Sequence, residues 1–370
     1  MQRPSRRHGP PFRADHVGSL LRPAALRAAR LRHAQGLIDR ETLRIIEDRE
    51  IEAVIRRQED VGLELATDGE FRRASWQFDF LRDLRGVETQ TAERGIQFKG
   101  IEAPRRALGV NGRLDFVNHP MLDHFRFLKE RSRVTAKLSI PSPAMLHFRA
   151  RDRISIDEYP DIDEFFDDLA RTYRKALGEF YEAGCRYLQL DDTTWGYLCS
   201  DEERTRLRQR GEDPDRLPAV YARVVNQAIC NRPHDLVVTT HVCRGNFRSS
   251  WITEGGYEPI AEVLFTATDY DGYFLEYDSV RAGGFEPLRF LPAGNKKVVL
   301  GLVSSKLGTL ECRDSICGRI KQAAEFVALD QLCLSPQCGF ASTEEGNILA
   351  EQEQWSKLEM IVEIARQVWQ

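Results

Sequence analysis

LVVTTHVC, residues 236–243, decides how this chain is read. Val237 to Thr240 are all β-branched, which suits a pleated, buried strand. Side chains alternate along a strand, so His241 and Cys243 leave the same face. An imidazole and a thiol therefore stand together where this strand ends.

Working outward, the same pattern recurs. ADHVGSLL (14–21) reads as a strand and its following loop, LELATDGE (63–70) as the second strand, and VTAKLSIPSP (134–143) as the third, stopped by two prolines. YLQLDD (187–192), LVVTTHVC, GYFLEYD (272–278), KVVLGLVSS (297–305) and DQLCLSPQCG (330–339) supply five more. Helical spacing fills most of the gaps, at 41–61, 161–183, 216–231, 257–264, 312–328 and 345–368. In the 161–183 stretch, Phe165, Phe166, Leu169, Tyr173, Leu177 and Phe180 share one side. Strands alternating with helices predict an α/β fold, a (β/α)8 TIM barrel, with a doubly wound sheet as runner-up. The chemistry favours the barrel. Asp15 or His16, Asp68, Glu70, Asp191, His241, Cys243, Glu276 and Cys338 all fall at strand ends, where a barrel gathers its site.

One span breaks the alternation. Residues 86–133 read as a β-rich insertion between strands two and three, followed by a short helix near 120–130. It is expected to serve as a lid, as a contact in a homo-oligomer, or as a decorative hairpin. Residues 1–13, basic and Pro-rich, read as a flexible N-terminal arm, with 14–370 as a single catalytic barrel.

Bulk properties narrow the function classes. The 370-residue chain is 42% hydrophobic and 30% charged with a net charge of −4, which gives no basic field for nucleic acid or an anionic membrane. No apolar run approaches the ~20 residues that span a bilayer. Eight scattered cysteines do not form a disulfide scaffold, and a reducing, cytoplasmic setting is expected.

His241, Cys243, Glu276 and Cys338 offer nitrogen, sulfur and carboxylate oxygen, all ordinary zinc donors. A thiolate-rich zinc can hold a substrate thiol deprotonated and present it to an alkyl donor. Glu276 is the ligand expected to yield to that thiol, since a carboxylate is the weakest partner of a soft centre. In TDGEFRR (67–73), Glu70 reads as an acceptor for a substrate ammonium, and Arg72 or Arg73 as a grip on a carboxylate. Asp191 in LQLDD reads as a holder of a substrate amine or of another side chain that supports the site, because a carboxylate buried there needs a partner. Asp192 reads as an N-cap. Trp195 reads as a stacking surface for a flat donor or as packing. Ser19, in HVGS, or its neighbouring N–H, can bind a carboxylate.

These motifs resemble the cobalamin-independent methionine synthase family, in particular its short, single-barrel members. TDGEFRR, the IPSP segment at 140–143, LQLDD, THVCRGNF, FLEYD and SPQCGF occur in family order across nearly the whole chain. The resemblance implies a catalytic zinc on His241, Cys243, Glu276 and Cys338, with Ser19, Glu70 and Asp191 on the amino-acid end of homocysteine. Full-length members carry an N-terminal barrel that helps hold a polyglutamylated methyltetrahydrofolate, and that half is missing from this sequence. They also have a histidine after strand seven, a proposed proton donor, where this chain has GLVSSKLGTLE and Lys306. Lys306 is the candidate proton donor or anion grip in its place.

The expected function is thus a zinc-dependent S-methyltransferase acting on a small-molecule thiol, homocysteine, with methyltetrahydrofolate as donor. Two alternatives stand beside it. One is an epoxyalkane:coenzyme M transferase-like enzyme that opens an epoxide with another thiol, Arg72 or Arg73 binding its anionic tail. The other is a non-catalytic barrel closed around a structural zinc.

Overall fold

A computed structural model describes residues 9–369. The strands, in chain order, are β1 Leu65–Ala66, β2 Arg85–Thr91, β3 Gln97–Phe98, β4 Ile101–Glu102, β5 Arg106–Asp115, β6 Thr135–Pro141, β7 Tyr187–Asp192, β8 Val237–Val242, β9 Gly272–Glu276, β10 Lys297–Val303 and β11 Leu332–Pro336. Seven form one curled parallel sheet in the order β1-β6-β7-β8-β9-β10-β11, wrapped by helices as a TIM-like α/β architecture.

The expected first strand is reduced, among the described residues, to a single parallel bridge from Ala14 to Leu334. Asp15 explains why. Its carboxylate accepts from the backbone N–H groups of His16 (2.8 Å) and Phe12 (3.1 Å), local bonds that compete with a strand ladder. The segment still spans the gap between the sheet's edges. Asp15 N donates to Leu334 O on one side, and Thr67 Oγ1 and Leu20 N donate to Gly18 O and Gly69 O on the other.

Six of the helices were legible as periodic stretches. Ile162–Glu182 buries all six of its predicted apolar residues, each worth about 1.5–3 kcal/mol relative to exposure. Pro143 begins a helix, Pro143–Ala150, rather than merely ending a strand, because a proline needs no hydrogen-bond acceptor in a first turn.

Between β1 and β6, β2 pairs antiparallel with β5 and β3 with β4, and a helix follows at Met121–Arg131. Of the expected arm, residues 1–8 lie outside the described residues. Phe12 is buried, and Arg13 donates to the carbonyls of Asp330 and Leu332.

The curled sheet is filled in layers. Phe12, Leu65, Tyr187 and Val237 form one apolar cluster, and Val17, Phe274, Val299 and Cys333 another. The buried Lys137 ammonium bonds Asp15 at 2.8 Å and sits over the Tyr187 and Phe274 rings. Asp15 and His16, whose Nε2 meets Gln58 Oε1 at 3.0 Å, are thus used by the fold. No helix among the described residues is long and apolar enough to cross a membrane.

Candidate metal centre and active site

Strand alternation carries β8 to its chemistry. His241 pairs in register with Asp191 on β7, and the Cys243 N–H, just past the strand, still donates to Asp192 O at 2.8 Å. Glu276 is the last residue of β9. Cys338 stands two residues beyond β11, whose register against β10 shifts between Gly301 and Val303. Gly301 permits that approach. A Cβ there would lie 2.6 Å from Gln337 Cα and 2.8 Å from Leu275 O.

One ligand atom from each of His241, Cys243, Glu276 and Cys338 lies within 4.8 Å of all the others, and all four residues are buried. The two sulfurs are 3.6 Å apart and unbridged. Glu276 Oε1 accepts from the Arg244 N–H at 2.8 Å, while its buried Oε2 has no partner among the described residues. His241 Nε2 is 3.1 Å from Gln337 O.

The electrostatics describe a site short of positive charge. The Cys243 thiol is pushed far above its ordinary value by its contact with Cys338, then by burial and by Glu276. Burial likewise raises the Glu276 carboxyl, with Lys306 opposing. Burial lowers His241 to about 3, against the effect of the Gln337 carbonyl, so its imidazole is neutral and free to be a ligand. A cation at the centre would favour the deprotonated thiols and carboxylate. The four residues can hold a metal ion.

A carboxylate pair stands beside this group. Gly69 and Glu70 both take left-handed backbone angles, φ 64° and 61°. For Glu70 that costs roughly 1–2 kcal/mol. Asp68 Oδ1 holds the Glu70 N–H at 2.9 Å, and the Arg22 guanidinium holds the carbonyls of Glu70 and Arg73. The turn buries the Glu70 carboxylate 3.4 Å from Arg73, and its Oε2 has no hydrogen-bond partner among the described residues. Burial, then the charge of Glu70, raises Asp191 well above the usual carboxylate range. Gln189 Nε2 donates to Asp191 Oδ1 at 2.6 Å. The sequence reading missed Gln189, although it precedes Asp191 by two on the same strand face. Ser19 packs against the turn that carries Cys338. A Cβ on Gly339 would meet Ser19 Oγ at 2.0 Å.

Other expected residues are placed differently. Arg72 bonds Asp48 at 2.6 Å, on the helix Arg40–Asp60, and lies over the Phe127 ring, so its guanidinium is committed to outer helices. Arg73 serves Glu70. Trp195 is fully buried, and its indole N–H has no hydrogen-bond partner among the described residues. Asp192 is not the N-cap, a position held by Thr193; its Oδ1 accepts the Thr194 N–H at 2.6 Å in a local turn one residue earlier. Lys306 Nζ donates to Asn246 Oδ1 at 2.9 Å and Gly245 O at 3.2 Å, while Asn246 Nδ2 donates to Gly339 O at 2.7 Å. This chain of bonds ties the loop after Cys243 to the turn after Cys338. Asn246 lies in THVCRGNF, but nothing in that motif signalled its partner.

A cavity reaches Cys243 and Asn246 between Trp76, Phe78, Phe98 and Phe247. The Phe98 and Phe247 rings lie 5.4 Å apart. Lys99 N donates to Trp251 O and Ser250 Oγ to Lys99 O, fastening the β3–β4 ribbon to the loop after β8 as one cavity wall.

Comparison with known proteins follows the same direction. Residues 153–367 match the family model described as "Cobalamin-independent synthase, Catalytic domain". The chain is 49% identical to the uncharacterized protein YxjH of Bacillus subtilis (strain 168), over 100% of this chain and 97% of that one. It is 23% identical to a methionine synthase of Pyrococcus abyssi, over 87% of this chain and 84% of that one. Among solved structures, a putative vitamin-B12 independent methionine synthase from Listeria monocytogenes is 43% identical with a TM-score of 0.80, covering 97% of this chain and 98% of that one. A B12-independent methionine synthase from Shewanella sp. W3-18-1, in complex with selenomethionine, shares the fold at 18% identity and a TM-score of 0.70, covering 95% and 96%.

Proposed function

The chain belongs to the cobalamin-independent methionine synthase family, and from that premise we propose that it is a zinc-dependent S-methyltransferase that methylates homocysteine to methionine, with methyltetrahydrofolate as donor. The observation that carries this reading is the convergence of His241, Cys243, Glu276 and Cys338 within 4.8 Å.

The donor set fits zinc. Two sulfurs, one imidazole and one carboxylate suit a borderline-soft tetrahedral ion, and the unpartnered Glu276 Oε2 is a buried acceptor awaiting a cation. What the ion supplies when bound is a substrate thiolate that persists near neutral pH, where a free thiol of pKa ~8.5 is mostly protonated.

The chain's own residues do the rest. The unpartnered Glu70 Oε2 and the neighbouring Asp191 carboxyl are acceptors for the amino group of the thiol substrate. An ammonium beside them would offset the burial and the Glu70 charge that raise Asp191. Ser19, packed against the turn that carries Cys338, is the candidate partner of the substrate carboxylate. The aromatic cavity seats the donor's flat body, the β3–β4 ribbon acts as its lid, and water is excluded from the transfer. Lys306 holds the loop after Cys243, which Asn246 ties to the turn after Cys338, and its ammonium is the candidate proton source for the leaving group. The thiol–epoxide reading loses its proposed anion grip, because Arg72 is bonded to Asp48 and Arg73 to Glu70. Eight free cysteines accord with a reducing, cytoplasmic setting.

The test is a screen of thiols against methyltetrahydrofolate mono- and polyglutamates, other methyl donors and epoxides, with bound metal quantified. The reading expects a methyl thioether formed in proportion to zinc. Full turnover by metal-free protein would refute it.

A further inference from the structure

Arg244 follows Cys243 directly, and its main chain is pinned on both sides. Its N–H donates to Glu276 Oε1 at 2.8 Å, and its carbonyl accepts from the N–H groups of Ile252 at 2.9 Å and Thr253 at 3.1 Å. The residue is only 2% exposed, and its Cζ lies 4.5 Å from the centre of the Tyr257 ring. The Tyr257 hydroxyl in turn donates to Glu276 O at 3.1 Å. Nε, Nη1 and Nη2 of Arg244 all lack a hydrogen-bond partner among the described residues. A guanidinium held dry with its donors unused is costly, so an anion that reached it would be bound strongly.

What faces Arg244 selects the anion. Tyr257, Cys199 and Glu276 are acidic groups whose charge bears on it. Burial pushes the Cys199 thiol up to about 11 and raises the Tyr257 phenol, so neither is an anion near pH 7. Glu276 remains, and its Oε2 is also buried without a partner among the described residues. Charge balance agrees. Two thiolates and a carboxylate around a divalent ion leave one negative charge in excess, and an incoming thiolate adds a second. Two buried cations stand against them, Arg244 and Lys306, and the Lys306 ammonium bonds only carbonyl and amide oxygens among the described residues.

We propose that Arg244 is the positioning residue that receives the Glu276 carboxylate when a substrate thiol takes its place at the metal centre. This rests on the metal–thiolate reading of the site. In the exchange a sulfur–metal bond forms as an oxygen–metal bond breaks, and the thiol proton leaves to bulk water. Glu276 stays a carboxylate because a turn of its side chain brings it onto the guanidinium fork. Without Arg244 the freed carboxylate would lie buried and unpaired, which favours its return to the metal and expulsion of the thiol.

The experiment uses zinc-loaded protein with L-homocysteine as the probe thiol. Crystal structures with and without the probe are expected to show Glu276 passing from the zinc to hydrogen-bond distance of Arg244. A Glu276 that stays on the zinc, or leaves it for another partner, overturns the proposal. Arg244→Met and Arg244→Lys are compared with the unaltered chain for zinc content, calorimetric thiol affinity and the number of sulfurs around zinc by X-ray absorption. Arg244→Met should keep its zinc while thiol affinity falls roughly ten-fold or more, the scale of a lost charge-assisted bond, and Arg244→Lys should recover part of the loss. Equal thiol affinity in Arg244→Met and the unaltered chain overturns the proposal and leaves the metal–thiolate reading standing. If the sulfur number in the unaltered chain does not rise when the probe is added, the metal–thiolate reading itself falls, and the role of Arg244 with it.

Discussion

The sulfurs of Cys243 and Cys338 lie 3.6 Å apart although 95 positions separate them in the chain. That distance is too long for a disulfide, whose sulfurs lie ~2.05 Å apart. It is close to the spacing of two thiolates on one tetrahedral ion with bonds of about 2.3 Å. Two strand ends and the Lys306–Asn246–Gly339 hydrogen bonds hold the pair in place.

Removing one of these donors should empty the site. Cys338→Ser and His241→Ala are each expected to reduce zinc from one per chain to a small fraction, and to abolish methyl transfer with it. Metal analysis of dialysed protein, paired with a product assay, checks this. A variant that loses activity at full zinc occupancy would assign these residues another role.

The carboxylate pair makes a separable prediction. Glu70→Gln and Asp191→Asn should raise KM for the amino-thiol by roughly ten-fold or more, the scale of a lost charge-assisted hydrogen bond, with zinc retained. The same variants should discriminate little against a thiol that lacks the amino group. Equal losses for both thiols would remove the recognition role.

Lys306 is expected to act first through structure. Lys306→Met removes the donor to Gly245 O and Asn246 Oδ1, at about 1.5–3 kcal/mol for a charged bond, and should lower the thermal midpoint and loosen zinc. If stability and zinc are unchanged while turnover alone collapses, Lys306 is instead the proton donor.

His16 gives a pH prediction with a definite sign. Burial lowers it to about 3 from an ordinary value near 6.5, so the unfolded chain takes up its proton first. Its stabilisation is complete above about pH 6.5 and is lost as pH falls toward 3, at up to about 1.4 kcal/mol per pH unit. Urea unfolding at pH 7, 6 and 5 should show a shallower decline for His16→Asn than for the unaltered chain. Parallel declines would mean that the buried imidazole is protonated in the fold.

Much of this molecule could be read along the chain because strands and helices write their periods locally. LVVTTHVC, YLQLDD and FLEYD each place their chemical residue by counting in twos, and six helices follow the 3.6-residue rule. The first strand misled because its hydrogen bonding is decided by the Asp15 side chain, which a hydrophobic pattern does not register. Arg72 misled in a related way. TDGEFRR places two adjacent arginines beside a carboxylate, but Asp48 and Phe127, brought near only by packing, take one of them away.

The sequence alone determined which side chains stand at strand ends, because backbone alternation is a local property. The tertiary structure decided which of those ends share a centre, that Arg72 is drawn off to Asp48, and that Lys306 and Asn246 together brace the two cysteine-bearing loops. Those outcomes depend on the curl of the sheet and on distances between segments remote in the chain, which no local period encodes.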